Sequence, residues 1–181
     1  DPNQRLMLQT AYQAVENAGY GGQSLNQKQV GVYVGYNAGM QLYQQAVNML
    51  HSELKEIAFA GNESSVIAGR IANFLNITGP AVMLDCACSS SLMALHTAIS
   101  AIKNGDCESA LVCAVSLKML LLDGIEKLGT VADDFKTRTF DQFADGTGPG
   151  EGVISIYIKP YQKAIDDRDP IHAIIKGSAV N

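Results

Sequence analysis

Leu8, Ala11, Val15 and Ala18 recur at three-and-four spacing between Asp1-Pro2 and Gly19. This predicts an amphipathic helix with an aspartate cap, a proline in the first turn where its missing N–H costs nothing, and a glycine stop. After the polar loop Gly21 to Gln29, the run Val30-Gly-Val-Tyr-Val-Gly35 has the length of a buried strand. Met40, Tyr43, Val47, Leu50, Leu54 and Ile57 return to the helical period and predict one amphipathic helix, or two broken near the middle. Asn62 to Ser65 can cap a further helix carrying Val66, Ile71 and Phe74 and ended by Gly79-Pro80. Ala81 to Asp85 predicts a buried strand running directly into Cys86-Ala-Cys-Ser-Ser-Ser91. From Ser89 a helix with Leu92, Leu95, Ile99 and Ile102 on one stripe reaches Asn104-Gly105, and Ala110 to Leu117 is the next apolar strand. A strand, a helix and a strand of matching direction make a βαβ unit. Gly129 to Gly150 has no period and predicts a long structured loop. A strand over Gly152 to Lys159, a short helix from Tyr161 and a strand from Ile171 complete the pattern. The class expected is α/β with a mostly buried sheet. No repeat, low-complexity tract or linker divides the chain.

Composition narrows the functions available. The 181 residues, 47% of them hydrophobic, can bury a sizeable core without disulfide staples. Thirteen basic against 18 acidic residues give a formal charge of −5, and no Lys/Arg cluster occurs. That balance argues against a nucleic-acid partner or an anionic membrane surface. The longest apolar stretch, Ala110 to Leu122, is interrupted by Ser116 and Lys118 and falls short of the roughly 18–20 residues of a bilayer span. The first residue is not Met, and Ile171 to Asn181 reads as a strand cut short, so the chain is expected to be an excerpt of a longer one. Four cysteines (Cys86, Cys88, Cys107 and Cys113) with no secretory signal point to a reducing, cytoplasmic compartment. None has Cys-x-x-Cys spacing, and no metal site is expected.

The chemistry concentrates where the strand at Ala81 meets the helix at Ser89. A nucleophile at such a junction faces the unpaired N–H groups of the first helical turn and about half a positive charge from the helix dipole. Both stabilise a thiolate, and both stabilise the oxyanion of a thioester under attack. Ala87, Ser89, Ser90 and Ser91 are small enough to let a substrate approach the backbone. Cys86 is expected within the strand end and Cys88 at the turn, facing solvent. Position alone leaves two readings of Cys88 open, a nucleophile or a small buried hydrophobe; Cys107 and Cys113 are read as core. No histidine is an evident base. His96 lies eight residues along the same helix, about 12 Å away; His51 falls in a polar helical phase and His172 in the terminal strand. A hydrolase elbow would need Gly-x-Cys-x-Gly, where Cys86 and Ser90 stand instead. The glycines at 146, 148, 150 and 152 lack the Lys-Ser/Thr of a P-loop, which excludes a phosphate cradle of that kind.

Asp85-Cys-Ala-Cys-Ser-Ser-Ser-Leu92 resembles the active-site motif of the β-ketoacyl synthases, the condensing enzymes of polyketide and fatty-acid synthesis, where Thr-Ala-Cys-Ser-Ser-Ser is usual. Four further segments resemble that family in order: Asp1-Pro-Asn-Gln-Arg-Leu-Met-Leu8 with Ala14 to Gly19, Ala68-Gly-Arg-Ile-Ala-Asn-Phe-Leu75 with Gly79-Pro80, Phe140 to Gly152, and Gly177-Ser-Ala-Val-Asn181. Modular polyketide synthases are the nearest in wording. The resemblance implies a thiolase-like layered αβαβα fold, present in part, with residues 1–181 a fragment of a single ketosynthase domain. It further implies a homodimer with the nucleophile strand near the two-fold axis. Cys88 would accept an acyl group from the phosphopantetheine arm of an acyl carrier protein. It would then release that group to the carbanion of a decarboxylated malonyl-type extender, with no bound cofactor. The two histidines that the family uses for decarboxylation and condensation lie in motifs absent from this chain, so the excerpt alone is expected to be inactive. A non-elongating ketosynthase-like module that binds or passes acyl-carrier intermediates is the alternative. Three positions depart from the family's wording. Cys86 replaces Thr and can pair with Cys88 only under strain, Cys113-Ala114 replaces Gly-Gly, and Val131-Ala-Asp-Asp134 replaces Ser-Pro-Asp-Gly.

Overall fold

Apolar side chains alternate across the two central strands, and helices cover both faces they present. The computed structural model describes residues 1–37, 47, 49–54, 58, 61–117 and 130–181. In chain order these form α1 (Pro2–Asn17), β1 (Val30–Gly35), the 3-10 turns Ser52–Leu54 and Ser64–Val66, and α2 (Ile67–Leu75). Then follow β2 (Ala81–Leu84), α3 (Ser90–Asn104), β3 (Ser109–Ser116), β4 (Gly152–Ile158) and α4 (Tyr161–Asp166). The helix expected over Met40 to Ile57 falls largely outside the described residues.

The strand order is β2-β1-β3-β4, with β1 parallel to β2 and to β3, and β3 antiparallel to β4. Register pairs Gly35 with Leu84 on one side and with Ala114 on the other, so β1 and β2 end level and β3 runs two residues further at the same edge of the sheet. Val30, Val32 and Val34 of β1 and Leu111, Cys113 and Val115 of β3 point to one face. There they meet Met7, Ala11 and Val15 of α1 and Ile67, Ala68 and Ile71 of α2. Tyr33, Ala110 and Val112 point to the other face and meet Ala94, Ala98 and Ala101 of α3. The order is thus helix, sheet, helix, and β2–α3–β3 is a crossover that passes over β1.

Several expectations shift. The buried stripe of α1 is Met7, Ala11 and Val15, with Leu8 at its margin. Its cap is as read, the Asp1 carboxylate accepting the Asn3 N–H at 2.6 Å. The helix expected from Asn62 is a 3-10 turn capped by Glu63 followed by α2, which has no side-chain cap of its own, ends at Leu75 with Asn76 left-handed, and leaves Val66 and Phe74 exposed. β2 is a half-exposed edge strand, because β1 pairs it on one side only and the helices do not reach around it. α3 turns its alanines inward, since helix and strand approach closely there, while Leu92 is 70% exposed. Residues 171–181 run without strand pairing and are exposed, Ile174 by 55%. The loop over 130–150 is as read. Arg138 grips Asp134 and Asp145, and the Thr147 N–H donates to the Thr130 carbonyl at 2.9 Å.

A polar clamp ties the two ends of the described fold. The Tyr20 hydroxyl donates to Asp169 at 2.8 Å, and the Lys159 ammonium donates to Asp169 at 2.6 Å, to Tyr20 and to Asp167. Burial works against the Lys159 charge, but the hydrogen bonds to Asp167, Asp169 and Tyr20 outweigh it and raise its pKa.

Candidate active site

β2 stops at Leu84 and α3 starts at Ser90, so five residues, Asp85 to Ser89, turn the chain at the C-terminal edge of the sheet. In open α/β sheets, ligands bind at that edge. The turn is tight. The Ser89 N–H donates to the Cys86 carbonyl and the Ser90 N–H to the Ala87 carbonyl, each at 3.2 Å. Ala87 is held at φ +51°, a left-handed conformation uncommon for a residue with a Cβ. Ser90 is 5% exposed and stitches the turn from beneath. Its hydroxyl accepts the Cys86 N–H at 2.8 Å and donates to the Ala87 carbonyl at 2.7 Å. From outside, Asp85 Oδ1 accepts the Ala87 N–H at 3.1 Å and the Asn37 side-chain amide at 3.3 Å.

Gly35 explains how the helix start reaches the sheet. A Cβ on it would lie 2.6 Å from the backbone carbonyl group of Ser90 and from Ser91 Cα. Only a residue without a side chain lets the first turn of α3 rest against the end of β1. Ser89 at the N-cap makes no side-chain cap hydrogen bond, its hydroxyl donating instead to the Cys86 carbonyl at 2.7 Å. The first turn of α3 is therefore oriented toward the space where Cys88 lies exposed.

Cys86 is not in the strand. Like Cys88 it is exposed in the turn, because β2 ends at Leu84, one residue short of the strand expected over Ala81 to Asp85. Cys107 and Cys113 are buried, as read. Burial pushes the Cys107 thiol up, and pushes that of Cys113 up to about 11. The histidines lie on other contacts. His96 Nδ1 meets the Ser178 hydroxyl at 3.0 Å, His51 meets Glu53 at 3.2 Å, and His172 is exposed. Among the described residues, no three His, Cys, Asp or Glu side chains are grouped to hold a metal ion. Two glycines of the late loop have steric roles, while Gly150 and Gly152 have open space beside them. A Cβ on Gly146 would sit 2.5 Å from Ala132 N, and one on Gly148 would sit 2.2 Å from Phe135 O.

Gly35 and Asn37 were not singled out for the site by sequence reasoning, which valued Ser90 for its small size and read Asp85 only as part of the strand and the motif, without the supporting roles the structure gives them. The available signals were a glycine closing an otherwise β-branched strand and an aspartate two residues before a small residue at a turn.

Comparison with known proteins places this geometry. The family model of the β-ketoacyl synthase N-terminal domain matches residues 1–164. Prosolanapyrone synthase of Alternaria solani is 39% identical over 185 residues, covering 100% of this chain and 7% of that protein. Polyketide synthase PksM of Bacillus subtilis is 37% identical, covering 100% of this chain and 4% of that protein. Among solved structures, the ketosynthase from module 6 of the bacillaene synthase of Bacillus subtilis is 36% identical with a TM-score of 0.78. The match covers 94% of this chain and 29% of that one. Ketosynthase twelve of the bacillaene synthase of Bacillus amyloliquefaciens is 27% identical with a TM-score of 0.81, over 94% of this chain and 30% of that one. The chain thus spans under a tenth of the curated relatives and under a third of the solved ones, and it shares their thiolase-like α/β fold.

Proposed function

The chain belongs to the β-ketoacyl synthase family, and from that premise we propose that Cys88 is the nucleophile of a polyketide-synthase ketosynthase domain of which residues 1–181 are a part. The observation that carries this reading is the placement of an exposed thiol between the C-terminal end of β2 and the first turn of α3. The Cys88 thiolate attacks the carbonyl of an acyl thioester carried on the phosphopantetheine of an acyl carrier protein. A new sulfur–carbon bond forms to Cys88, the pantetheine thiolate leaves, and the Cys88 N–H at the start of α3 bears the transient oxyanion, since the Cys86, Ala87, Ser89 and Ser90 N–H groups are engaged within the turn. The acyl group then passes to the carbanion of a decarboxylated malonyl-type extender, a step served by groups beyond this chain. Nothing in the structure or the relatives favours a non-elongating role.

The fold's open edges bear on assembly. β2 has one paired side, Val82 is 38% exposed, and Leu92 stands clear at the start of α3. A homodimer formed beside β2 would cover these groups and bring two elbows near one axis. No described helix is long and apolar enough to cross a membrane.

The test incubates the full-length protein with an acyl-pantetheine thioester and maps the adduct by peptide mass spectrometry. An acyl group on Cys88 is the expected result. An adduct on Cys107 or Cys113 with Cys88 unmodified would overturn the reading.

A further inference from the structure

We infer that Asp85 is a positioning residue for Cys88, acting as a hydrogen-bond acceptor that holds the turn and not as a charge that acts on the thiol. The inference rests on the nucleophile reading above and adds a residue to it. Ala87 occupies the left-handed region at φ +51°, where a residue with a Cβ needs outside support. Both polar groups of Ala87 receive that support. Its N–H donates to Asp85 Oδ1 at 3.1 Å, and its carbonyl accepts the Ser90 hydroxyl at 2.7 Å. The Ala87–Cys88 peptide helps set the direction of the Cys88 side chain, so fixing Ala87 holds the exposed thiol in one place at the start of α3.

Asp85 is itself tethered. The Asn37 amide, two residues past the end of β1, donates to the same Oδ1 at 3.3 Å. The carboxylate oxygen thus joins the ends of two adjacent parallel strands to the turn. Ser90 is buried and supports the same turn, so its removal would mix positioning with folding. Asp85 is exposed, which separates the two effects. Asn keeps an oxygen acceptor in the same place and drops the charge, whereas Ala drops both.

The experiment compares the native full-length protein with Asp85→Asn and Asp85→Ala. It reads the single-turnover acylation of Cys88 by an acyl-pantetheine thioester and the alkylation of Cys88 by iodoacetamide, each resolved by peptide mapping. Asp85→Ala is expected to slow both reactions about tenfold, with the half-saturating thioester concentration within about twofold of native. Asp85→Asn is expected to stay within about threefold of native on both. A charge role predicts the opposite pattern, since removing an anion beside a thiolate would speed alkylation equally in both variants. The inference is overturned if Asp85→Ala reacts at the native rate, or if Asp85→Asn is as slow as Asp85→Ala. If iodoacetamide labels Cys88 in the native protein and the thioester does not, the acyl-transfer reading fails. The alkylation series alone then still decides on Asp85.

Discussion

Two pairs of cysteines separate by environment. Cys107 and Cys113 lie 2% and 0% exposed in the packed core, Cys113 on the central strand β3 facing the α1 and α2 layer and Cys107 just ahead of that strand. Cys86 and Cys88 lie exposed in a turn whose polar backbone is held by Ser89, Ser90 and Asp85. The core thiols are buried beside a few polar partners, Ser155 for Cys113 and Tyr33 for Cys107, and burial disfavours their anions, whereas the turn leaves its thiols open to solvent among small side chains. One residue type serves packing in one place and chemistry in the other, and the backbone around it makes the difference.

The largest predicted effect breaks the comparison at its reactive end. Cys88→Ala in the full-length protein should lower acyl-enzyme formation by roughly a thousandfold or more, read by intact-protein mass. Next comes the support beneath the turn. Gly35→Ala places a methyl against the Ser90 backbone and should cost about 1–3 kcal/mol in denaturant unfolding, with slower acylation as the helix start moves outward.

At the buried end, Cys113 sharpens the contrast through pH. Burial holds its folded pKa near 11, above the unfolded value of 9.0, so the folded state keeps a proton that the unfolded state releases. Stability should therefore be flat below about pH 8.5 and then fall by up to about 1.4 kcal/mol per pH unit towards pH 11. Cys113→Ala should flatten that slope in urea melts taken across the range. In labelling at about pH 8, iodoacetamide should modify Cys86 and Cys88 and spare Cys107 and Cys113 until the chain unfolds. The smallest effect is expected for Cys86→Thr. The turn uses the Cys86 N–H and carbonyl and makes no hydrogen bond through its thiol, so acylation should stay within about threefold of native.

Much of this contrast was legible in the sequence. The continuous apolar runs of β1 and β3 marked strands buried on both faces, and the small residues after Asp85 marked a turn open to substrate. Edge and centre were less legible, because Ala81-Val-Met-Leu84 is as apolar as β1, and only the strand order reveals that its far side is unpaired. Residues 171–181 misled for a related reason: their β-rich composition states a preference for pairing, and pairing needs a neighbour in space. On α3, periodicity found the helix and part of its buried side, since Leu95 and Ile102 pack at the margin, but close helix–sheet contact puts Ala94, Ala98 and Ala101 at the centre and leaves Leu92 exposed. Asp85 and Asn37 stayed hidden because their contact spans 48 residues.

The lie of α1 has a consequence for how the chain acquires its shape. Thr10 of α1 meets Ser155 of β4 across 145 residues, and Tyr20 meets Asp169 across 149. The first helix cannot complete its docking until β4 has been made, and β1 must wait for both of its parallel neighbours. Such distant pairings slow folding and leave apolar faces uncovered in the meantime. On a ribosome, the stripe of Met7, Ala11 and Val15 would emerge before β1, α2 and β3 and stay only partly sheltered until synthesis passes β4, the interval in which a chaperone has most to hold.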